Sequence, residues 1–166
     1  MRNIIKINNG IARHPSFRMK EPVNFTLCES DNIAIVGNNG AGKSLLVDTI
    51  TGKYPLYKNE VKYDFCSSSS QMAFYNIKYI TFRDSYGDAD NSYYYQQRWN
   101  SQDSDSTPIV RDLLPKSSDK ELKKTIYDLF GIEDLLDKKI LLLSSGEMRK
   151  FQLAKTILTN PRVLII

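Results

Sequence analysis

This 166-residue sequence has only two cysteines, one histidine and no long apolar run. The two cysteines, Cys28 and Cys66, lie far apart and in no metal-ligand spacing. That excludes a disulfide framework and a thiolate metal knuckle, and leaves two reduced, structural thiols. No apolar run approaches the length of a membrane span. The start, Met1-Arg2-Asn3-Ile4-Ile5-Lys6, lacks the apolar region of a signal peptide. Asp88 and Asp90 fall two apart but lack the glycine and distal Glu of a calcium loop, so they read as solvated loop acids. Together these absences predict a cytoplasmic chain.

What is present is a phosphate loop. Gly37-Asn38-Asn39-Gly40-Ala41-Gly42-Lys43-Ser44 fits G-x-x-x-x-G-K-[ST] at every position. An apolar run, Ile33-Ala34-Ile35-Val36, leads in, and a helical pattern leads out. Glycines let the backbone curl so that successive N–H groups face one anion. The helix opening at Lys43 adds its positive end to that pocket. Lys43 then reaches the β- and γ-phosphates, and the Ser44 hydroxyl takes a place on Mg²⁺. A Gly/Asn-rich turn is the alternative for any one of these positions; the combined match and its context favour the nucleotide site.

Periodicity predicts strands over 2–8, 23–27, 32–36, 60–65 and 77–82, with Val23, Phe25 and Leu27 sharing a face. A helix from Lys43 turns Leu45, Leu46, Val47 and Ile50 inward and stops at Gly52. A polar stretch from Arg83 to Ser106 carries Tyr93-Tyr94-Tyr95-Gln96-Gln97-Arg98-Trp99 and is long for a loop inside a domain. Ser118-Asp119-Lys120-Glu121 reads as a capping box for a helix presenting Leu122, Ile126, Leu129 and Phe130 and ending at Gly131. Ser144-Ser145-Gly146-Glu147 is a second capping box, opening a helix with Met148, Phe151, Leu153, Ala154, Ile157 and Leu158. A turn at Asn160-Pro161 precedes a strand at 163–166.

Charge is uneven. The segment from Asp84 to Ser106 holds five Asp and one Arg and carries −4, leaving +8 for the rest of a chain whose total is +4. A basic body leaves nucleic acid open as a partner, although the lysines are dispersed among acids as on a solvated surface.

Leu143-Ser144-Ser145-Gly146-Glu147 resembles the signature of the ATP-binding cassette (ABC) ATPases, L-S-G-G-Q, and stands about a hundred residues after the phosphate loop, as in that family. The tail from Ala154 to Ile166 is similar to the family's helix and turn leading to the Walker B strand. Arg13-His14-Pro15-Ser16-Phe17, Gly42-Lys43-Ser44-Leu45-Leu46 and Tyr95-Gln96-Gln97-Arg98-Trp99 resemble the soluble tandem-cassette ATPases of the molybdenum-transport-associated and photorepair type. The resemblance implies an α/β fold: a P-loop ABC-type core with an antiparallel β edge and a small α-helical subdomain, truncated at the Walker B strand. Along the chain this gives a nucleotide-binding core over 1–82, a polar inserted loop over 83–106, a helical subdomain with the signature over 107–150, and a return helix and strand start over 151–166.

The same resemblance implies ATP and Mg²⁺ as cofactors. The nucleotide set is Gly37, Asn38, Asn39, Gly40, Ala41, Gly42, Lys43, Ser44 and Leu45, with Phe17 as the aromatic that stacks on adenine or, alternatively, as core packing. Ser144, Ser145, Gly146 and Glu147 address ATP held by a partner, either a second cassette in tandem or a homodimer. Two signature positions depart from the family: Ser145 replaces the first Gly, and Glu147 replaces Gln. A Glu there adds negative charge near phosphates unless it folds back as the capping acceptor. Phe82-Arg83 occupies the place of the family's Q-loop glutamine, so Gln96 or Gln97 would have to reach in across the inserted loop, Gln97 being carried with Ser44 as a metal ligand. In the family the Walker B Asp, the Glu after it and a switch His complete hydrolysis; Ile166 precedes the expected Asp, and the sole histidine is His14. The expectation is a fragment of a longer ATPase that builds much of a nucleotide pocket. A membrane transporter subunit as partner at the membrane's inner face, a nucleotide-gated binding module for nucleic acid or ribosomes, and a hydrolysis-deficient structural ATP binder remain as alternatives.

Overall fold

The computed structural model describes residues 2–57, 60–66, 68, 70–81, 107–116 and 119–166. They fall into two compact units, Met1–Ile77 and Lys78–Ile166.

The first unit is built on β1 (Asn3–Gly10), which lies between β2 (Val23–Cys28) and β3 (Val61–Tyr63) and runs antiparallel to both. Ile5 pairs with Leu27 and Tyr63, and Ile7 with Phe25 and Val61. Ile5 and Ile7 are buried while Lys6 and Asn8 between and after them are not, the period-two pattern of a sheet with one covered face. Full burial of each isoleucine contributes about 1.5–3 kcal/mol. A register shift between Ile7 and Gly10 keeps the strand paired past Asn9, which sits in the left-handed region at φ 49°. Helix α1 (Lys43–Ile50) buries Val47 and Ile50, with Leu45 and Leu46 half-buried. The Tyr63 hydroxyl donates to the Ile50 carbonyl at 2.9 Å, joining β3 to the end of α1. A short helix α2 (Ala73–Asn76) follows, and the buried Asn76 amide donates to the carbonyls of Ser70 and Met72.

One predicted strand is absent. The run Asn32–Val36 enters no ladder among the described residues, and its apolar side chains are open to solvent, Val36 at 88%. Apolar composition favours a strand only when a neighbouring backbone supplies the hydrogen bonds.

The second unit contains β4 (Ile77–Tyr79) paired with β5 (Val163–Ile165), and the helices α3 (Val110–Leu113), α4 (Lys120–Phe130) and α5 (Ser145–Ile157). Val110, Ile126, Ile132, Leu143, Phe151 and Ala154 form the centre of its core. Gly131 caps α4 in the left-handed conformation, as the sequence predicts. The N-cap differs: Asp119, not Ser118, accepts from the N–H groups of Glu121 and Leu122, and Ser118 lies outside the described residues. Leu129, expected inward, is exposed, because the apolar stripe of α4 narrows to Leu122, Ile126 and Phe130. Short 3-10 turns at Glu133–Leu135 and Ile140–Leu142 carry the chain to α5.

Candidate functional site

The loop from Gly37 to Ser44 is shaped by two left-handed residues. Gly40 sits at φ 81° and Gly42, the N-cap of α1, at φ 89°. A side chain at Gly40 would meet nothing within 4 Å, so conformation, not space, requires glycine there. The Ala41 N–H donates to the Asn38 carbonyl at 3.1 Å and closes the loop on itself.

Helical bonding starts with Leu46 N–H to the Gly42 carbonyl at 2.8 Å. The N–H groups of Gly40, Gly42, Lys43, Ser44 and Leu45 donate to no acceptor among the described residues. Orphan donors of this kind at a helix start carry the positive end of the dipole. Lys43 Nζ folds over the same loop and donates to the carbonyls of Gly37 at 2.8 Å and Asn38 at 2.9 Å. An ammonium group, a row of unpaired N–H donors and the exposed Ser44 hydroxyl therefore converge on one short segment. That donor set suits a polyphosphate, and it supplies a hydroxyl oxygen for a hard cation.

Phe17 ends a 3-10 turn, Pro15–Phe17, whose cap is the His14 ring accepting from the Ser16 N–H. Its own ring is half-buried and stacks on Tyr54, with centroids 3.9 Å apart and planes 10° apart. One face of the Phe17 ring is covered by Tyr54, and the His14 ring lies tilted with its centroid 5.3 Å away. Two residues further on, the Met19 methyl sits 3.5 Å from where a Cβ on Gly42 would stand, which brings this segment alongside the phosphate loop. Tyr54 carries no motif and escapes sequence reasoning; its one signal is its place in the turn that follows α1.

In the second unit, both bonds of the predicted capping box on α5 are present. Ser144 Oγ accepts from the Glu147 N–H at 3.3 Å, and Glu147 Oε2 accepts from the Ser144 N–H at 2.8 Å. Glu147 Oε1 also accepts from Lys138 Nζ at 2.6 Å, an ion pair that the sequence reading did not anticipate. The Lys138 ammonium, with the Ser144 donors, holds the Glu147 carboxyl down at about 2. The N–H groups of Ser145 and Gly146 donate to no acceptor among the described residues, and a side chain at Gly146 would meet nothing within 4 Å. Gln97, Gln96, Phe82 and Arg83 lie outside the described residues.

A family model described as ABC transporter matches residues 20–166, from before the phosphate loop through the signature to the end of the sequence. The chain belongs to the ABC transporter family. Among curated ABC relatives, the ABC transporter ATP-binding protein ModF of Escherichia coli is 25% identical over 171 residues, covering 98% of this chain and 32% of that protein. The zinc import ATP-binding protein ZnuC of Saccharophagus degradans is 27% identical over 166 residues, covering 98% of this chain and 56% of that one. The chain thus spans between a third and just over half the length of these relatives. Among solved ABC structures, cbiO1 of Clostridium perfringens, described as part of the ABC transporter complex cbiONQ, superposes with a TM-score of 0.66 at 19% identity, over 99% of this chain and 64% of that one. A nucleotide-free ATP-binding cassette from an ABC transporter superposes at 0.61. These likenesses establish the α/β ABC fold, and membership of the family implies ATP as the nucleotide. Among the described residues, no helix is long and apolar enough to cross a membrane.

Proposed function

We propose that this ABC domain binds Mg-ATP through the loop from Gly37 to Ser44 and closes, through the N-terminus of α5, on ATP held by a second ABC cassette. The observation that carries the first half is the row of N–H groups at Gly40, Gly42, Lys43 and Ser44 with no acceptor among the described residues, with Lys43 Nζ folded over the same loop. On binding, Lys43 exchanges its two loop carbonyls for phosphate oxygens, and the backbone donors take the remaining phosphate charge. Mg²⁺, when bound, offsets phosphate charge, and Ser44 is the residue that would hold it. Phe17 would meet the base with the ring face opposite Tyr54.

The second half rests on α5. Its capping box uses the N–H groups of Ser144 and Glu147 and leaves those of Ser145 and Gly146 for an external anion. Ser145, Gly146 and Ser144 would then address the γ-phosphate on the partner cassette. ATP would join two domains, and its hydrolysis by the assembled pair would release them. The partner is a second cassette, as a copy of this chain or in tandem.

Calorimetry of Mg-ATP with this chain and with Lys43→Ala tests the reading. Loss of a charge-assisted contact to phosphate removes about 1.5–3 kcal/mol, roughly 10- to 150-fold in affinity. Equal binding by the two proteins would refute the assignment of the loop.

A further inference from the structure

In the family's signature a neutral Gln stands where this chain has Glu147, a carboxylate placed beside an N-terminus that, in the reading above, must receive a phosphate. Left alone, that charge would repel the nucleotide it is meant to meet. The structure shows how the charge is managed. Both carboxylate oxygens are engaged: Oε2 by the Ser144 N–H, and Oε1 by the Lys138 ammonium at 2.6 Å.

Lys138 does not reach Glu147 by chance of a floppy loop. Its N–H donates to the Leu135 carbonyl at 3.0 Å, in the turn that follows the 3-10 turn, and its carbonyl accepts from the Val110 N–H at 3.0 Å at the start of α3. The backbone is therefore held on both sides, and only the side chain spans to α5. The pair is partly shielded, with 27% of the Glu147 side chain and 44% of the Lys138 side chain exposed.

We infer that Lys138 is a positioning residue for the signature: it cancels the Glu147 charge and fixes that carboxylate against the cap, so that the free N–H groups of Ser145 and Gly146 present a net positive end to the partner's γ-phosphate. This rests on the pairing role proposed for α5 and extends it to a residue outside the motif. The role is electrostatic as well as steric. With Lys138 neutralised, the Glu147 carboxylate keeps its full negative charge on the residue next to Gly146. A like-charge interaction across a partly solvated gap weakens ATP-dependent pairing about tenfold. It fades as salt rises, because the Debye length falls to about 3 Å at 1 M.

The test measures ATP-dependent self-association by sedimentation for the unmodified chain, Lys138→Met, Lys138→Arg, Glu147→Gln and the double variant Lys138→Met/Glu147→Gln. Circular dichroism accompanies each protein to establish equal helix content. Lys138→Met is expected to lose about tenfold in pairing, with the loss shrinking at high salt, and Lys138→Arg to retain pairing. The decisive comparison is the double variant, in which the carboxylate is gone and the lysine has nothing to cancel: there the loss should vanish. A loss of equal size with and without Glu147, or no loss in Lys138→Met, would overturn the role while leaving the pairing reading intact. An unmodified chain that binds Mg-ATP yet does not associate with it would overturn pairing between copies of this chain, and this role in it.

Discussion

Replacing Phe17 by Ala separates two roles for one ring. Tyr54 already lies on Phe17 at 3.9 Å with the planes 10° apart. One face is therefore spent, and a nucleobase can stack on the other face alone. Stacking of a base on a protein aromatic is worth about 1–3 kcal/mol by alanine substitution. The variant should bind Mg-ATP roughly 5- to 150-fold more weakly. It should also lose about 0.5–1.5 kcal/mol of stability from the broken Phe17–Tyr54 pair. The assay compares calorimetric titrations with Mg-ATP and with magnesium and inorganic triphosphate, which has no base. The expected result is a loss for ATP and none for triphosphate, at a temperature well below the lowered midpoint of the variant. Equal losses for the two ligands would show that the ring supports the loop and never meets the base. Unchanged affinity for both would remove Phe17 from the nucleotide site and leave it a structural partner of Tyr54.

Two further predictions address the loop and the cap. Gly42→Ala puts a side chain at φ 89°, where the added Cβ would meet only the Met19 methyl at an ordinary 3.5 Å; the cost is therefore backbone strain of about 1–2 kcal/mol, read as a lower urea midpoint with an unchanged slope, and wild-type stability would refute it. Glu147 titrates at about 2 in the folded chain, below its ordinary 4.5, because Lys138 and then the Ser144 donors favour the ionised form. A depressed carboxyl contributes stability that is present above about 4.5 and lost as pH falls through about 2. Urea titrations across that window should show this acid-dependent component in the unmodified chain and its absence in Glu147→Gln.

What the sequence disclosed follows the range of the interactions involved. The phosphate loop, the Gly131 cap and the Ser144–Glu147 box depend on donors and acceptors within a few residues of one another, so their chemistry is written in short motifs. The α4 cap falls at Asp119, one residue after the Ser118 that opens the motif, for the same local reason: Ser118 and Asp119 are both competent acceptors. By contrast, the Asn32–Val36 run has the composition of a strand, but ladder membership is decided by other segments of the chain. Tyr54 reaches Phe17 across β2, the phosphate loop and α1, and Lys138 reaches Glu147 over nine positions that include a 3-10 turn. Neither contact leaves a periodicity or a spacing to find.

Helix α5 has a mechanical consequence. Its thirteen residues form a rod about 20 Å long. One end is the capped Ser144 terminus; the other hands the chain through the Asn160 turn to β5, whose Ile165 carbonyl accepts from the Ile80 N–H at 2.9 Å. Met148, Phe151 and Ala154 anchor the rod along its length in the core of the second unit. A close-packed rod of this kind transmits displacement without bending. An ångström of movement imposed at the cap would arrive at the β4–β5 ladder as a push or a tilt, which makes α5 a lever between the capped Ser144 terminus and a sheet.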